Sequence, residues 1–165
     1  MKKGFYILIF SVAGFSTNLF AQSNNSAEIT ASVTIIKPIS IIRSADINFG
    51  KITIAGAGTV VVSPVGTRTQ TGSVTLLNGG SEAPGQFQVT GQATATYAVS
   101  IPTSVTLKRS DAPTEVITAD TFTHNAIALS GNTDQLKIGA TIRLAGNETV
   151  GAYVSDLFAV TVSYN

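Results

Sequence analysis

The sequence predicts an all-β protein, an antiparallel β-sandwich. Several short segments alternate apolar and polar residues with a period of two, which is typical of strands that bury one face. Glycine, proline and asparagine residues separate these segments at short intervals, as turns do in sandwiches. Threonine, valine, isoleucine, alanine, serine and glycine dominate the composition, and this mixture favours strands and tight turns over helices.

The first 21 residues have the pattern of a secretory signal peptide. Lys2 and Lys3 form a positive start, residues 4–15 are an apolar core, and Leu19-Phe20-Ala21 ends in the small residue that signal peptidase favours. The apolar run is too short to span a membrane, and no second long run follows it. We therefore expect an exported protein, in the periplasm, at the cell surface or outside the cell, with residues 22–165 as one domain and no membrane span after signal removal.

Composition narrows the classes of function. Loss of Lys2 and Lys3 with the signal peptide changes the formal net charge from +1 to −1. A nearly neutral surface argues against nucleic acids and anionic membranes as partners. The chain has no cysteine, which excludes thiolate chemistry and cysteine-based metal sites.

The first predicted strand of the mature domain is residues 29–36. One face of this strand is apolar and is formed by Ile29, Ala31, Val33 and Ile35. Lys37-Pro38 interrupts the strand because proline cannot donate to a sheet ladder, and residues 39–43 resume extended structure. Two interpretations stay open: the strand pairs within its own domain, or it is exchanged between subunits as an added strand.

The middle of the chain continues the strand pattern. Further strands are predicted at residues 51–54, 59–63, 73–77, 86–90, 96–101, 105–109, 115–118, 121–123, 126–130 and 136–145. Turns are predicted at residues 55–58, 64–66, 78–80, 131–132 and 146–147. The last of these strands is expected to be long, because Ile138, Ala140, Ile142 and Leu144 alternate without a break. At most one helical turn is expected, near residue 119 or 147.

The closing segment also has one apolar face. Its apolar positions are Phe158, Val160, Val162 and Tyr164, which alternate with small or polar residues. Such a strand has to dock into a sheet of its own chain or of a partner. These four residues and the four apolar residues of segment 29–36 are the candidates for pairing between copies.

Two segments together resemble a known family. They are Ala45-Asp46-Ile47-Asn48-Phe49-Gly50, and Gly151-Ala152-Tyr153 followed by residues 158–164; residues 60–68 and 86–91 fit the same pattern. The chain resembles a family of secreted bacterial domains of unknown function related to spore coat protein U-like domains, and more distantly the subunits of chaperone–usher pili. The resemblance implies an Ig-like, pilin-like sandwich with an extracellular structural role and no catalytic residues. The implied partners are the protein itself or related subunits, and a periplasmic chaperone.

The chain departs from this pattern in two respects. Relatives often carry a cysteine pair, which is absent, and Gly151 lies one residue further from Tyr164 than the pattern has it. We interpret the second departure as a one-residue insertion between Tyr153 and Phe158. One extra residue flips the face to which side chains point, so we expect a bulge there that keeps both aromatic residues facing the core. Without a bulge, Asp156 would share the apolar face.

Residues that could carry chemistry are sparse. His124 is the only histidine, and no Gly-x-Ser-x-Gly motif occurs, so we interpret His124 as a surface residue at a strand end. The acidic residues fall mostly in predicted turns, and Gly131-Asn132-Thr133-Asp134 is interpreted as a hairpin turn, not a calcium loop. Lys108-Arg109 is interpreted as a solvated pair on a strand edge. No catalytic, cofactor or metal site is predicted.

The sequence therefore predicts an exported, non-enzymatic structural or surface component that assembles by strand complementation. In such assembly, backbone hydrogen bonds supply affinity and alternating apolar side chains supply register. The alternative is a monomeric extracellular binding module for glycan or protein partners, with a site in the loops at one end of the sandwich.

Overall fold

The computed structural model describes residues 25–125 and 127–165. All regular elements in these ranges are strands, which confirms the predicted all-β class. The ten strands are β1 (Ser40–Ala45), β2 (Lys51–Val62), β3 (Arg68–Leu77), β4 (Gly85–Thr90), β5 (Tyr97–Ser100), β6 (Ser104–Arg109), β7 (Ala112–His124), β8 (Thr133–Leu144), β9 (Tyr153–Ser155) and β10 (Thr161–Tyr164).

The predicted signal peptide, residues 1–21, lies outside the described residues, and so do Gln22, Ser23 and Asn24. Within the described ranges, no helix has the length and apolar character needed to cross a membrane.

The strands form two antiparallel sheets. The larger sheet has eight strands and follows the order β1-β4-β8-β7-β6-β9, with β2 joined to β8 and β3 joined to β2. The smaller sheet contains β10 and β5. This arrangement confirms the predicted antiparallel sandwich class.

Strand β8 is the centre of the larger sheet. Along one edge it pairs first with β4, where Ile138 lies opposite Gly85, and then with β2, where Ala140 lies opposite Val62. Along the other edge it pairs with β7. Two strands that share one edge have to diverge, and the sheet curls around β8 as a result. The long alternating strand predicted for this region is confirmed.

The curled sheet encloses two clusters of buried side chains. The first surrounds the C-terminal half of β8 and contains Val60, Val74, Ile117, Ala119, Ile142 and Leu144. The second lies between the N-terminal half of β8 and the smaller sheet and contains Val89, Tyr97, Leu129, Leu136 and Ile138. Phe122 packs against both clusters.

The predicted first strand is wrong. Residues 25–39 belong to no strand, and Ile29, Val33 and Ile35 are 92%, 86% and 90% exposed. Ala31 is exposed as well. The alternation is present in the sequence, but a strand also needs the edge of a neighbouring strand to pair with. In the described part of the chain, no strand pairs with this segment. The first strand of the domain is β1, close to the predicted segment 39–43.

Two pairs of predicted strands are each one continuous strand. Segments 51–54 and 59–63 are parts of β2, so the predicted turn at 55–58 is wrong. At these residues the pairing of β2 with β3 is irregular. Gly72 has a φ of 69° there, and Gly58 allows the two backbones to approach closely. Segments 115–118 and 121–123 merge into β7, whose pairing with β8 shifts at Thr121.

The predicted one-residue bulge between Tyr153 and Phe158 is also wrong. The chain forms β9 on the larger sheet, leaves it over residues 156–160, and enters the smaller sheet as β10. Tyr153 packs against the first cluster, and Val160 packs against the second. Because the chain changes from one sheet to the other, Tyr153 and Val160 both face the core, which is the result expected from the bulge. Asp156 is exposed and its carboxylate lies 2.6 Å from Lys108 Nζ.

Candidate functional site

An apolar cleft of about 850 Å3 opens into the larger sheet. Inward-facing side chains of β6, β7 and β8 line its interior, together with Phe49 and Phe87. Two stretches of irregular chain border it: residues 45–50, between β1 and β2, and residues 151–160, around β9 and before β10. We call these stretches the first wall and the second wall.

The floor of the cleft is the buried face of β8. Ile138, Ala140 and Ile142 alternate along this strand, and all three line the cleft. Ala119 of β7 lies beside Ile142 and lines the cleft as well. These four side chains are only 1–4% exposed, so the accessible lining of the cleft lies mainly in its walls.

The first wall is held in shape by Arg68. Its side chain is only 6% exposed, and its guanidinium donates to the carbonyls of Phe49 at 3.0 Å and Leu77 at 2.9 Å. Gly50 has a φ of 74°, and a Cβ there would collide with this guanidinium. The Asn48 side chain accepts a hydrogen bond of 2.8 Å from the Gly50 amide. These contacts explain the asparagine and the glycine at this point, and the Phe49 side chain between them packs against the first cluster.

The second wall is tied to the hairpin of β6 and β7 by Arg109. This guanidinium lies 2.7 Å from Asp111 and 3.0 Å from Glu115, and its side chain is 14% exposed. Gly151 packs directly against the Arg109 side chain, where a Cβ would be 2.7 Å from Arg109 Cδ. The prediction of a solvated edge is therefore wrong for Arg109, since β6 lies between β7 and β9.

Tyr153 completes the second wall. Its hydroxyl donates a 2.9 Å hydrogen bond to the Thr149 carbonyl and lies 3.4 Å from the Glu115 carboxylate. Burial, and then Glu115, raise the pKa of Tyr153, so the phenol stays protonated and remains a donor. Burial works against the charge on Arg109, but Asp111 and Glu115 outweigh it and raise the pKa of Arg109. The network thus keeps fixed charges beside the cleft and none on its floor.

The last part of the second wall has an unpaired backbone. Residues 156–160 lie in no strand and pair with no strand of the described chain. Phe158 is 37% exposed, and its ring lies 5.8 Å from that of Phe122 at an angle of 48°. Phe158, Phe122 and Val160 all line the cleft. An apolar cleft therefore runs beside a stretch of chain whose amides and carbonyls are free to pair.

The residues predicted to mediate pairing between copies are divided among three places. Phe158 and Val160 line the cleft. Val162 and Tyr164 are half-buried in β10, opposite Val99 and Tyr97, and pack against the second cluster. The third place is the exposed segment before β1, which holds Ile29, Ala31, Val33 and Ile35.

Sequence reasoning missed the floor of the cleft. The alternation of Ile138, Ala140 and Ile142 predicts a buried strand, and no pattern indicates that a cleft lies beside its buried face. The one available signal was the resemblance, because residues 45–50 and 151–153, together with Phe158 and Val160 of its closing segment, line this cleft.

No group of three His, Asp or Glu side chains among the described residues is placed to hold a metal ion. His124 is exposed at the end of β7, as predicted, and its Nδ1 lies 2.8 Å from the Asn125 carbonyl. An apolar cleft beside an unpaired backbone is instead suited to accept an extended segment as an additional strand.

Comparison with known proteins gives one match. No curated protein and no solved structure matches the chain. A family described as a domain of unknown function (DUF4402) matches residues 39–164, which include every strand of the structure. The match begins after the exposed segment that holds Ile29 and ends at Tyr164. The chain belongs to this family, the DUF4402 domains.

Proposed function

We propose that the protein is an exported, non-enzymatic structural or surface component that assembles by strand complementation. Residues 29–35 of one copy, here called the arm, would fill the cleft of a second copy. The main support is that one chain contains two complementary features. These are an exposed segment whose apolar residues alternate, and an apolar cleft.

The arm has the properties of an added strand. Ile29, Val33 and Ile35 lie on one face of an extended chain and are almost fully exposed. Seven extended residues span about 23 Å, at about 3.3 Å per residue. Backbone pairing would join the arm to residues 156–160, and its apolar face would pack against the partly exposed lining of the cleft, which includes Phe158. The arm carries no charged residue, which suits an apolar cleft.

The length of the chain favours a second copy over the same copy. The Lys37 amide donates a hydrogen bond to the Gln92 side chain, which attaches this residue to the body of the domain. From there β1 leads to the first wall at Ala45. A hairpin that turned at Lys37 would place residue 29 opposite residue 45, and residue 35 opposite residue 39. Val33 and Ile35 would then lie beside β1 and outside the cleft. The arm of a second copy is free of this constraint and can supply its whole apolar face.

Export and assembly would follow in order. The signal peptide pattern supports release into the periplasm, followed by a place at the cell surface or outside the cell. The cleft would be exposed until an arm fills it, and a periplasmic chaperone is the partner that the resemblance to pilus subunits supplies for this stage. Related subunits with similar arms could take the place of an identical copy.

Two single substitutions test this proposal. Val33→Asp places a charge on the arm, and Phe158→Asp places one in the cleft, where an unpaired charge is costly to bury. Each variant alone should be monomeric by size-exclusion chromatography with light scattering. An equimolar mixture should form dimers, because the first variant keeps its cleft and the second keeps its arm.

The matched control is Val65→Asp. Val65 is 82% exposed in the turn after β2 and belongs to neither the arm nor the cleft, so this variant should assemble as the wild-type chain does. Assembly of the Val33→Asp variant to wild-type size would overturn the proposal, and so would a mixture that stays monomeric.

A monomeric binding module is the second candidate. The cleft volume of about 850 Å3 lies within the range of ligand pockets, about 300–1,000 Å3. Its aliphatic and aromatic lining favours an apolar segment of a protein partner over a glycan. A wild-type chain that is monomeric at all concentrations, and that is retained by a glycan array or a partner protein, would favour this candidate.

A further inference from the structure

The base of the arm is fastened at a single residue, Lys37. Its amide donates to the Gln92 side-chain oxygen at 3.2 Å, and its carbonyl accepts a 2.7 Å hydrogen bond from the Tyr164 hydroxyl. The same hydroxyl accepts a 2.5 Å hydrogen bond from the Gln92 amide. Both backbone groups of Lys37 are therefore occupied. The residue before it, Ile36, is 50% exposed.

The partners of Lys37 are themselves rigid. Tyr164 lies in β10 opposite Tyr97, and its ring packs against the second cluster. Its hydroxyl closes on the backbone at Gly91, where a Cβ would collide with it. The Gly91 amide donates to the Asn132 carbonyl at 3.0 Å, which joins this loop to the turn before β8.

Pro38 restricts the same point from the other side. A residue that precedes proline is disfavoured in the helical region, because its amide and Cβ clash with the proline ring. Lys37 is thereby held to extended conformations. The following residue, Ile39, packs against the second cluster, so the chain has no free residue between Lys37 and the body of the domain.

We propose that Tyr164 is a positioning residue that makes the joint between successive copies stiff. This inference rests on the proposed function, in which Ile35 lies in the cleft of the next copy. Lys37 belongs to the body of its own copy, so Ile36 alone would connect the two bodies. With Lys37 held by its hydrogen bonds, a connection of one residue transmits the orientation of one copy to the next. Without those hydrogen bonds, the two copies could pivot about the connection.

The joint can be measured in a defined dimer. The Phe158→Asp chain donates its arm to the Val33→Asp chain, and a spin label on Thr71→Cys in each marks the two bodies. Labelling is specific because the sequence contains no other cysteine. Electron paramagnetic resonance then gives the distribution of distances between the bodies. Adding Tyr164→Phe to the donor chain removes the hydroxyl and keeps the ring, and should widen this distribution about twofold.

Two further variants define the cause. Gln92→Ala in the donor removes the hydrogen bond to the Lys37 amide and should also widen the distribution. Ser110→Ala in the donor deletes a different hydroxyl, which donates to the Ala152 carbonyl at 3.2 Å in the turn between β6 and β7, and should leave the width unchanged. If the distance distribution is equally wide for donors with and without Tyr164→Phe, the stiff joint is overturned and the proposed function stays intact. Failure of the two chains to form a dimer overturns the proposed function, and the joint with it.

Discussion

Tyrosine hydroxyls fasten this domain at three places. Tyr97 donates to Asp134 at 2.6 Å, Tyr153 to the Thr149 carbonyl at 2.9 Å, and Tyr164 to the Lys37 carbonyl at 2.7 Å. The sequence predicts that the rings of Tyr153 and Tyr164 face the core. The hydroxyl partners of Tyr97 and Tyr164 lie 37 and 127 residues away along the chain, so no local pattern could indicate them.

Tyr97 should make the stability of the domain sensitive to alkaline pH. Burial, and then the hydrogen bond to Asp134, raise the pKa of Tyr97 above its ordinary value of 10.0. The folded state therefore holds this proton more tightly than the unfolded chain does. The resulting contribution to the free energy of unfolding is complete below pH 10 and declines as the pH rises from there towards the raised pKa.

Denaturant titrations from pH 8 to 11 check this expectation. The free energy of unfolding of the wild-type chain should fall above about pH 10, and that of Tyr97→Phe should fall less steeply. At pH 7 the variant should lose about 0.5–1.5 kcal/mol for the missing hydrogen bond. Equal slopes for the two chains above pH 10 would show that Tyr97 does not carry the effect.

At the scale of elements, alternation predicts strands well where the chain supplies a neighbouring edge. Strands β4, β6 and β8 lie within a few residues of their predicted positions, because each has a partner on both sides. The arm alternates as clearly as β8 does and forms no strand, because pairing is a property of two segments and the pattern describes one. Residues 55–58 show the reverse error: glycine indicates a turn, yet this stretch continues through β2.

The two faces of the central strands should differ sharply in their contribution to stability. Ile138 of β8 is 1% exposed, and Ile138→Ala should cost about 2–5 kcal/mol because it leaves a cavity. Val116 of β7 is 50% exposed on the outer face, and Val116→Ala should change the free energy of unfolding by no more than about 0.5 kcal/mol. Urea titrations of both variants measure the difference, and comparable losses would contradict the assignment of faces.

At the scale of the whole molecule, the cleft is the feature that sequence reasoning could approach but not define. The resemblance selected residues 45–50 and residues 151–153 with the closing segment 158–164, and the structure places the first two stretches and the start of the third at one cleft. The floor at Ala140 escaped prediction, since it depends on how β8 is shared between β4 and β2. The general class of the fold was predictable because it follows from composition and alternation. The cleft between the two walls does not follow from either.

An apolar cleft without an arm should bind apolar dyes. A monomeric Val33→Asp chain should raise the fluorescence of an environment-sensitive dye, and an equimolar amount of the Phe158→Asp chain should lower it as its arm fills the cleft. A chain with both substitutions has neither a usable arm nor an apolar cleft, and its addition should leave the fluorescence unchanged. A decrease with this double variant would mean that the dye is displaced by something other than the arm.

Strand β8 contributes residues to both buried clusters, Ile142 to the first and Ile138 to the second. Neither cluster can be taken apart while β8 stays in place for the other. The two halves of the domain are therefore expected to behave as one cooperative unit and to melt in a single transition without a stable half-folded state. A domain without disulfide bonds would then reach its native state in one all-or-none step.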